Sequence, residues 1–409
     1  MALHKVISWN AAARLLSLLF NFLVVLAVSR SLGPILKGET TIWITTIFIG
    51  VFASNIVGGL SLVNFLKRNE ESSVFTATYI WSLFSCLIFA FIACTFLHRN
   101  FAFGLHIFFL TFLSSLFSFH QTALLSKSRF RAFNFVFFLQ PFVLWTVLFV
   151  LLYLFQYKTF NAFVIALYSS FVASYFISLM MLLKSEKITF SFSFNKFKAM
   201  LANGFPFQAA ELLQLLHLRL YFFLLAGFNE GGLYNLGIYS VGISILESVW
   251  VFPRSVATIN FAATAKNPSA ANTLRWLRLS LLCSFIALLL IFSVPTELYA
   301  LVFGDGFLYV KYAVKYLFPG IGLYVIVLVL GSHLMAEEKY KAMSVIHSTG
   351  IAVSLLLCRI WIPHYEMSGA GLAATVSFAA AAAMILVYFL KIETFSLSDL
   401  IPKWSDFKF

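Results

Sequence analysis

Charge is what this sequence has least of. Asp, Glu, Lys and Arg make up 11% of its 409 residues, 15 of them acidic and 28 basic. A soluble domain carries about 25%, so there is too little polar surface here to cover a core in water. No polar stretch is long enough for a separate folded domain, which excludes a built-in ATPase or a soluble catalytic domain. Chemistry-bearing motifs are missing too: there is no GxxxxGK(S/T) phosphate loop, no HExxH, no CxxC and no GxSxG elbow. The four cysteines, Cys86, Cys94, Cys283 and Cys358, sit in apolar runs without ligand or disulfide spacing. They predict small core residues, no metal and no cofactor. An enzyme is not expected.

What the sequence has is apolar length, 61% of the chain. One crossing of a bilayer takes about 20 residues. Apolar runs between charged or Gly/Pro punctuation predict twelve helices, at 11–30, 40–66, 75–97, 101–126, 134–157, 160–183, 203–228, 233–262, 276–297, 312–335, 341–363 and 367–391. At the N-terminus, Ala11-Ala12-Ala13 precedes the apolar run, the reverse of a cleavable signal's order, so the first segment is expected to be kept as a span. The fold class is all-α integral membrane, about twelve transmembrane helices in two six-helix lobes.

The formal charge of +13 invites a nucleic-acid partner, but its distribution argues against one. With the N-terminus inside, eighteen basic residues fall on the cytoplasmic side and seven outside, the bias expected of bacterial-type membrane loops. Both termini are expected in the cytoplasm. The basic segment near mid-chain divides the sequence into an N-terminal lobe over 1–183, a cytoplasmic linker over 184–202, a C-terminal lobe over 203–391 and a cytoplasmic tail over 392–409. Ala13–Leu19 aligns without gaps to Ala210–Leu216, 197 residues on. An even number of helices per half makes the repeat parallel, with a substrate site expected between the lobes.

Three basic residues remain within the spans, Arg14, Arg219 and Arg254, beside Glu211 and Glu247. Each costs at least about 2.5–3.5 kcal/mol at a helix centre, so such groups face a cavity or a partner. Glu247 and Arg254 are seven apart, on one helix face but two turns distant, with Pro253 between them to open the helix. A cavity role is favoured for that pair. Arg219 and Glu211 either flank a cavity wall or pair across to the next helix; Arg14 either lines a cavity or snorkels to headgroups. His106, His120 and His217 read as satisfied polar residues. Three arginines against two glutamates leave a cationic excess, which suits phosphate; a cationic drug would need an acidic cavity.

Several short segments carry a resemblance. They are Ser29-Arg30-Ser31-Leu32-Gly33-Pro34 with Gly38-Glu39, Gly204-Phe205-Pro206, Leu236-Gly237-Ile238-Tyr239-Ser240-Val241, Leu301-Val302-Phe303-Gly304, and Met367-Ser368-Gly369-Ala370-Gly371-Leu372-Ala373-Ala374-Thr375. In this order the chain resembles the multidrug/oligosaccharidyl-lipid/polysaccharide exporter superfamily, and within it the Wzx-type polysaccharide flippases. The resemblance implies a MATE-like two-lobed bundle in the bacterial inner membrane. It implies movement of an undecaprenyl-pyrophosphate-linked oligosaccharide by alternating access, for O-antigen, capsule or exopolysaccharide assembly. Arg14, Arg219 and Arg254 would then attract the headgroup phosphate, and Glu211 and Glu247 would balance charge or couple to H+ or Na+. Membrane lipids and other polysaccharide-assembly membrane proteins are the implied partners. One departure is Leu216-His217-Leu218-Arg219, where relatives often carry an acidic residue. A cation-coupled multidrug antiporter is the alternative within the superfamily, and a membrane polymerase or ligase the alternative outside it.

Overall fold

The computed structural model describes residues 3–59, 71–127, 129–184, 191–228, 231–393, 400 and 406, with the side chains of 3–12, 71 and 72 excepted. Every described element is helical. In chain order they are α1 Leu3–Gly58, α2 Glu71–Phe96, α3 Phe101–Ser126, α4 Phe130–Phe149 with a π turn Val150–Leu154, α5 Phe160–Leu183, α6 Phe194–Ala226, α7 Gly232–Glu247, α8 Val251–Thr264, α9 Ala270–Ser293, α10 Thr296–Phe303, α11 Val310–Ala336 and α12 Tyr340–Ile392. A backbone without water must satisfy its own hydrogen bonds, and helices do so within one segment. Ten described stretches are long and apolar enough to cross a membrane; this is a multi-pass membrane protein. Two of them, Ala13–Gly58 at 46 residues and Tyr340–Ile392 at 53, have about twice the length of one crossing.

Both long runs are broken at one residue. In α1 it is Gly33, with φ +77°, and helix resumes at once with Pro34. Proline fits there because the first residue of a helix has no N–H partner to lose. The loop expected over 31–39 is therefore a bend. In α12 the break is Glu366, φ +48°, three residues after Pro363, which removes one rung of the ladder. The Glu366 carboxylate accepts from Asn235 Nδ2 at 3.1 Å. The residues 60–66 of the expected second span lie outside the described residues.

The chain divides into two compact units, Met1–Leu32 with Ile42–Leu212, and Gly33–Thr41 with Leu213–Phe409. This division differs from the expected linker over 184–202. The boundary falls inside α6, and residues 194–202 are already helical. Their sequence alternates Lys196 and Lys198 with Phe197 and Met200; Met200 is fully buried and Phe197 lies 6.0 Å from Trp81, so an apolar face holds this stretch in the first unit.

In the first unit one core joins Val24, Trp43, Ile47, Phe103, Ile107, Leu148 and Phe163, and a second joins Val57, Phe75, Phe119, Leu182 and Met200. Hydroxyls knit α1, α2 and α3 together. Ser115 Oγ donates to Ser54 Oγ at 2.7 Å, and Trp81 Nε1 donates to the Ser54 carbonyl at 2.8 Å. Small polar residues serve this purpose where lipid leaves no hydrophobic drive between helices. The second unit is built around α11, whose Tyr324 is fully buried with Trp250, Tyr221, Tyr239 and Phe378. Trp250 Nε1 donates to the Ile321 carbonyl at 2.9 Å. Asp406 forms a two-pronged pair with the buried Arg278 of α9, 2.6 Å at Nε and 2.5 Å at Nη2. Arg278 was counted among the loop cations that set orientation, and it is a core ion pair instead.

Candidate functional site

The first unit contains a cavity of about 550 Å³. Seven neutral polar residues line it, Ser17, Asn21, Asn55, Ser114, Ser118, Gln121 and Gln140, together with Phe48, Phe52, Phe117, Phe137 and Phe171. Among the described residues no charged side chain is in the lining. Two of the amides are partly engaged, Asn21 Nδ2 to the Ser17 carbonyl at 2.9 Å and Asn55 Nδ2 to Ser118 Oγ at 3.3 Å. Pro141 in α4 removes an N–H from the ladder where that helix borders the cavity. Amide donors and acceptors beside aromatic faces suit a neutral ligand rich in hydroxyls. None of these residues stood out in the sequence, because neutral amides have no spacing signature and become a set only when α1, α3 and α4 meet.

Of the three span charges expected in the second unit, Arg219 and Glu247 form an ion pair and Arg254 stands outside it. Arg219 of α6 grips Glu247 of α7 with both prongs, at 2.6 and 2.8 Å. The pairing across to the next helix weighed for Arg219 is thus the arrangement found, with Glu247 as the partner. Beyond Glu247 the ladder tightens into a 3-10 turn, Ser248–Trp250, and helix resumes through Pro253. Arg254 makes no ion pair with Glu247 and is exposed; its guanidinium stands 5.2 Å above the Trp250 indole. A cation over an aromatic face keeps its charge available on the other side. Glu211 and Arg14 belong to the first unit. Glu211 is half-buried and Arg14 exposed, and neither has an ion-pair partner among the described residues.

Two further polar groups are buried in the second unit. Lys37, expected in an external loop, is 6% exposed and donates to Ser240 Oγ and Thr41 Oγ1, each at 3.0 Å. Around it two segments of the resemblance, Pro34 to Gly38 and Leu236 to Val241, meet. The Pro34 carbonyl closes on Gly237 so tightly that a Cβ there would overlap it, and Gly38 meets the Leu233 carbonyl in the same way. Gly306 lies against the Pro34 ring. These matches mark a packing knot rather than a ligand site. The second group is His217, whose Nδ1 lies 3.4 Å from Nδ1 of His347 and whose Nε2 lies 3.3 Å from Ser377 Oγ. The expectation of satisfied histidines also holds for His106, bonded to Tyr168, and His120, bonded to Tyr79 and Ser178.

No family model and no curated protein sequence matches the chain. Solved structures do. A lipid II flippase MurJ in an inward closed conformation superposes with a TM-score of 0.75 at 11% identity, over 96% of this chain and 88% of that one. An inward-facing multidrug resistance MATE family transporter of the MOP superfamily gives 0.66 at 13%, over 92% and 94%. A MOP superfamily transporter from Pyrococcus furiosus, described by the reverse polarity of its binding pocket, gives 0.65 at 12%, over 95% of both chains. At these identities the likeness is one of fold, and it extends over nearly the whole chain. The MATE-like helical fold expected from the sequence is the fold found.

Proposed function

We propose that this protein is a flippase that carries an undecaprenyl-pyrophosphate-linked oligosaccharide from the inner to the outer leaflet of the bacterial inner membrane, by alternating access. Its termini lie in the cytoplasm, following the loop-charge bias. The observation that carries the reading is the cavity of the first unit, amide-rich, walled by phenylalanines and lined by no charged side chain among the described residues. It offers a sugar many hydrogen bonds and offers a cationic drug no carboxylate. Arg254 and Arg14, exposed and without acidic partners among the described residues, supply the attraction for the pyrophosphate. Arg219 enters only as half of a neutral pair with Glu247, so the role expected of it passes to positioning Glu247 and the turn that presents Arg254. The fold shared with a lipid II flippase fits a lipid-linked headgroup.

The test is complementation. In a bacterium lacking its own surface-polysaccharide flippase, this gene, expressed with its cognate glycosyltransferases, restores surface glycan and removes the accumulated lipid-linked units. Loss of restoration in Gln121→Leu, at equal membrane abundance, ties the export to the cavity. One observation favours the antiporter reading, the half-buried Glu211 without an ion pair among the described residues. That reading predicts drug resistance abolished by Glu211→Gln with surface glycan unchanged.

A further inference from the structure

At one end of the second unit three electron-pair donors face each other. His333 lies in the last turn of α11, Glu337 caps that helix, and Glu393 caps α12. His333 Nε2 stands 3.7 Å from Glu337 Oε1 and 3.8 Å from Glu393 Oε1, and the three ligand atoms lie within 4.8 Å of one another. The His333 ring is completely buried, against Phe389 edge-to-face at 5.3 Å, and its Nε2 has no hydrogen bond. Neither carboxylate is paired with a lysine or arginine among the described residues.

The surrounding hydrogen bonds say which nitrogen bears the proton. Asn260 Nδ2 donates to Ser332 Oγ at 3.0 Å, which turns its Oδ1 toward Thr273. The Thr273 hydroxyl proton therefore has two acceptors, that Oδ1 at 3.1 Å and the Ser269 carbonyl at 3.2 Å. Its oxygen is left to accept from His333 Nδ1 at 2.8 Å, and the Thr264 hydroxyl stands at the longer distance of 3.5 Å from the same nitrogen. With the proton on Nδ1, Nε2 presents a bare lone pair to two carboxylate oxygens. The partial negative charge of two helix C-termini adds to theirs. Nothing among these groups offsets that repulsion, so the arrangement calls for a cation at its centre.

The spacing chooses between a proton and a metal ion. A charged N–H···O bond closes to about 2.7–2.9 Å, well short of what is found. Donors about 2.1 Å from a tetrahedral ion stand about 3.4 Å apart, close to the observed separations. One imidazole and two carboxylates form a mixed set for a first-row divalent ion, and the Thr273 hydroxyl behind the imidazole is the outer partner that such ligands usually have. We propose that His333, Glu337 and Glu393 bind one divalent transition-metal cation, of the Zn2+ or Mn2+ class, through one ring nitrogen and two carboxylate oxygens. The ion would fasten the end of α12 to α11 and, through Thr273, to α9. The site is independent of the transport reading and would stand without it.

The experiment uses the full-length protein in detergent, stripped with a chelator and titrated with Zn2+ by calorimetry and with Mn2+ by paramagnetic resonance. One ion per chain is expected. Glu337→Gln and Glu393→Gln keep the shape of partly exposed side chains and should each weaken binding at least tenfold. Thr273→Val, which touches no ion, should weaken it about 10–100-fold. Wild-type protein that binds neither ion at one per chain overturns the proposal. So does equal binding by both glutamine variants, the mark of an adventitious ion only.

Discussion

At the residue scale the ion pair of Arg219 and Glu247 is the most exposed to test. The two side chains are 21% and 14% accessible, and a buried pair that loses one partner costs about 3–5 kcal/mol, while its replacement by apolar side chains is often neutral. Glu247→Gln is therefore expected to destabilise the protein by about 3 kcal/mol, and Arg219→Met with Glu247→Leu to recover most of it, read as detergent melting temperatures. Lys37 makes the opposite case. The hydroxyls it touches keep their own acceptors, Ser240 Oγ donating to the Gly237 carbonyl and Thr41 Oγ1 to the Lys37 carbonyl, both at 2.9 Å. Lys37→Met leaves no orphaned donor and fills nearly the same volume, so a change under about 1 kcal/mol is expected. A large loss of melting temperature would show that the ammonium itself holds the knot.

At the element scale the bends and crossings depend on glycine for two different reasons. An added Cβ at Gly33 meets nothing, but φ +77° with ψ 178° is a region nearly reserved to glycine, so Gly33→Ala meets strain alone and should cost about 2 kcal/mol. Gly237 has an ordinary backbone, yet a Cβ there strikes the Pro34 backbone, which cannot rotate away. Gly237→Ala is expected to cost more, about 2–3 kcal/mol, and the order of the two melting temperatures checks the distinction. The spans themselves were legible in the sequence because each must keep about 20 residues apolar. Less legible were the places where apolar patterning is silent. The expected loop 31–39 is helical because one glycine and one proline suffice for the bend. Residues 194–202, polar enough to read as linker, are helix because one face, Phe197 and Met200, is apolar and Phe197 meets Trp81. Arg219 with Glu247, and His333 with Glu393, are 28 and 60 residues apart, and no spacing rule joins helices before they pack.

At the scale of the whole molecule, the scarcity of charge is divided between topology and function. Most basic residues follow the loops, and two that were counted with the loops, Lys37 and Arg278, are buried in the second unit instead. Of the three arginines within the expected spans, Arg219 is neutralised and Arg254 and Arg14 remain. On the proposed function, attraction by the arginines and hydrogen bonding by the amides of the first unit are separate contributions, which predicts a division of labour. Gln140→Leu should slow transport several-fold by weakening contact with sugar, with no loss of melting temperature, whereas Arg254→Ala should act through the pyrophosphate and weaken with rising salt. Comparing transport rates for a long and a single-sugar lipid pyrophosphate separates the two, since only the first should be sensitive to Gln140.

The central claim is that the protein moves a lipid-linked oligosaccharide across the bilayer. It is tested most directly in vesicles containing the purified protein and an undecaprenyl-pyrophosphate oligosaccharide, with an impermeant glycosidase outside. The account predicts that the inner-leaflet pool becomes degradable with wild-type protein, and at least tenfold more slowly with Arg254→Ala. An inner pool that stays protected in the presence of folded wild-type protein, whether or not a membrane potential is imposed, would contradict it.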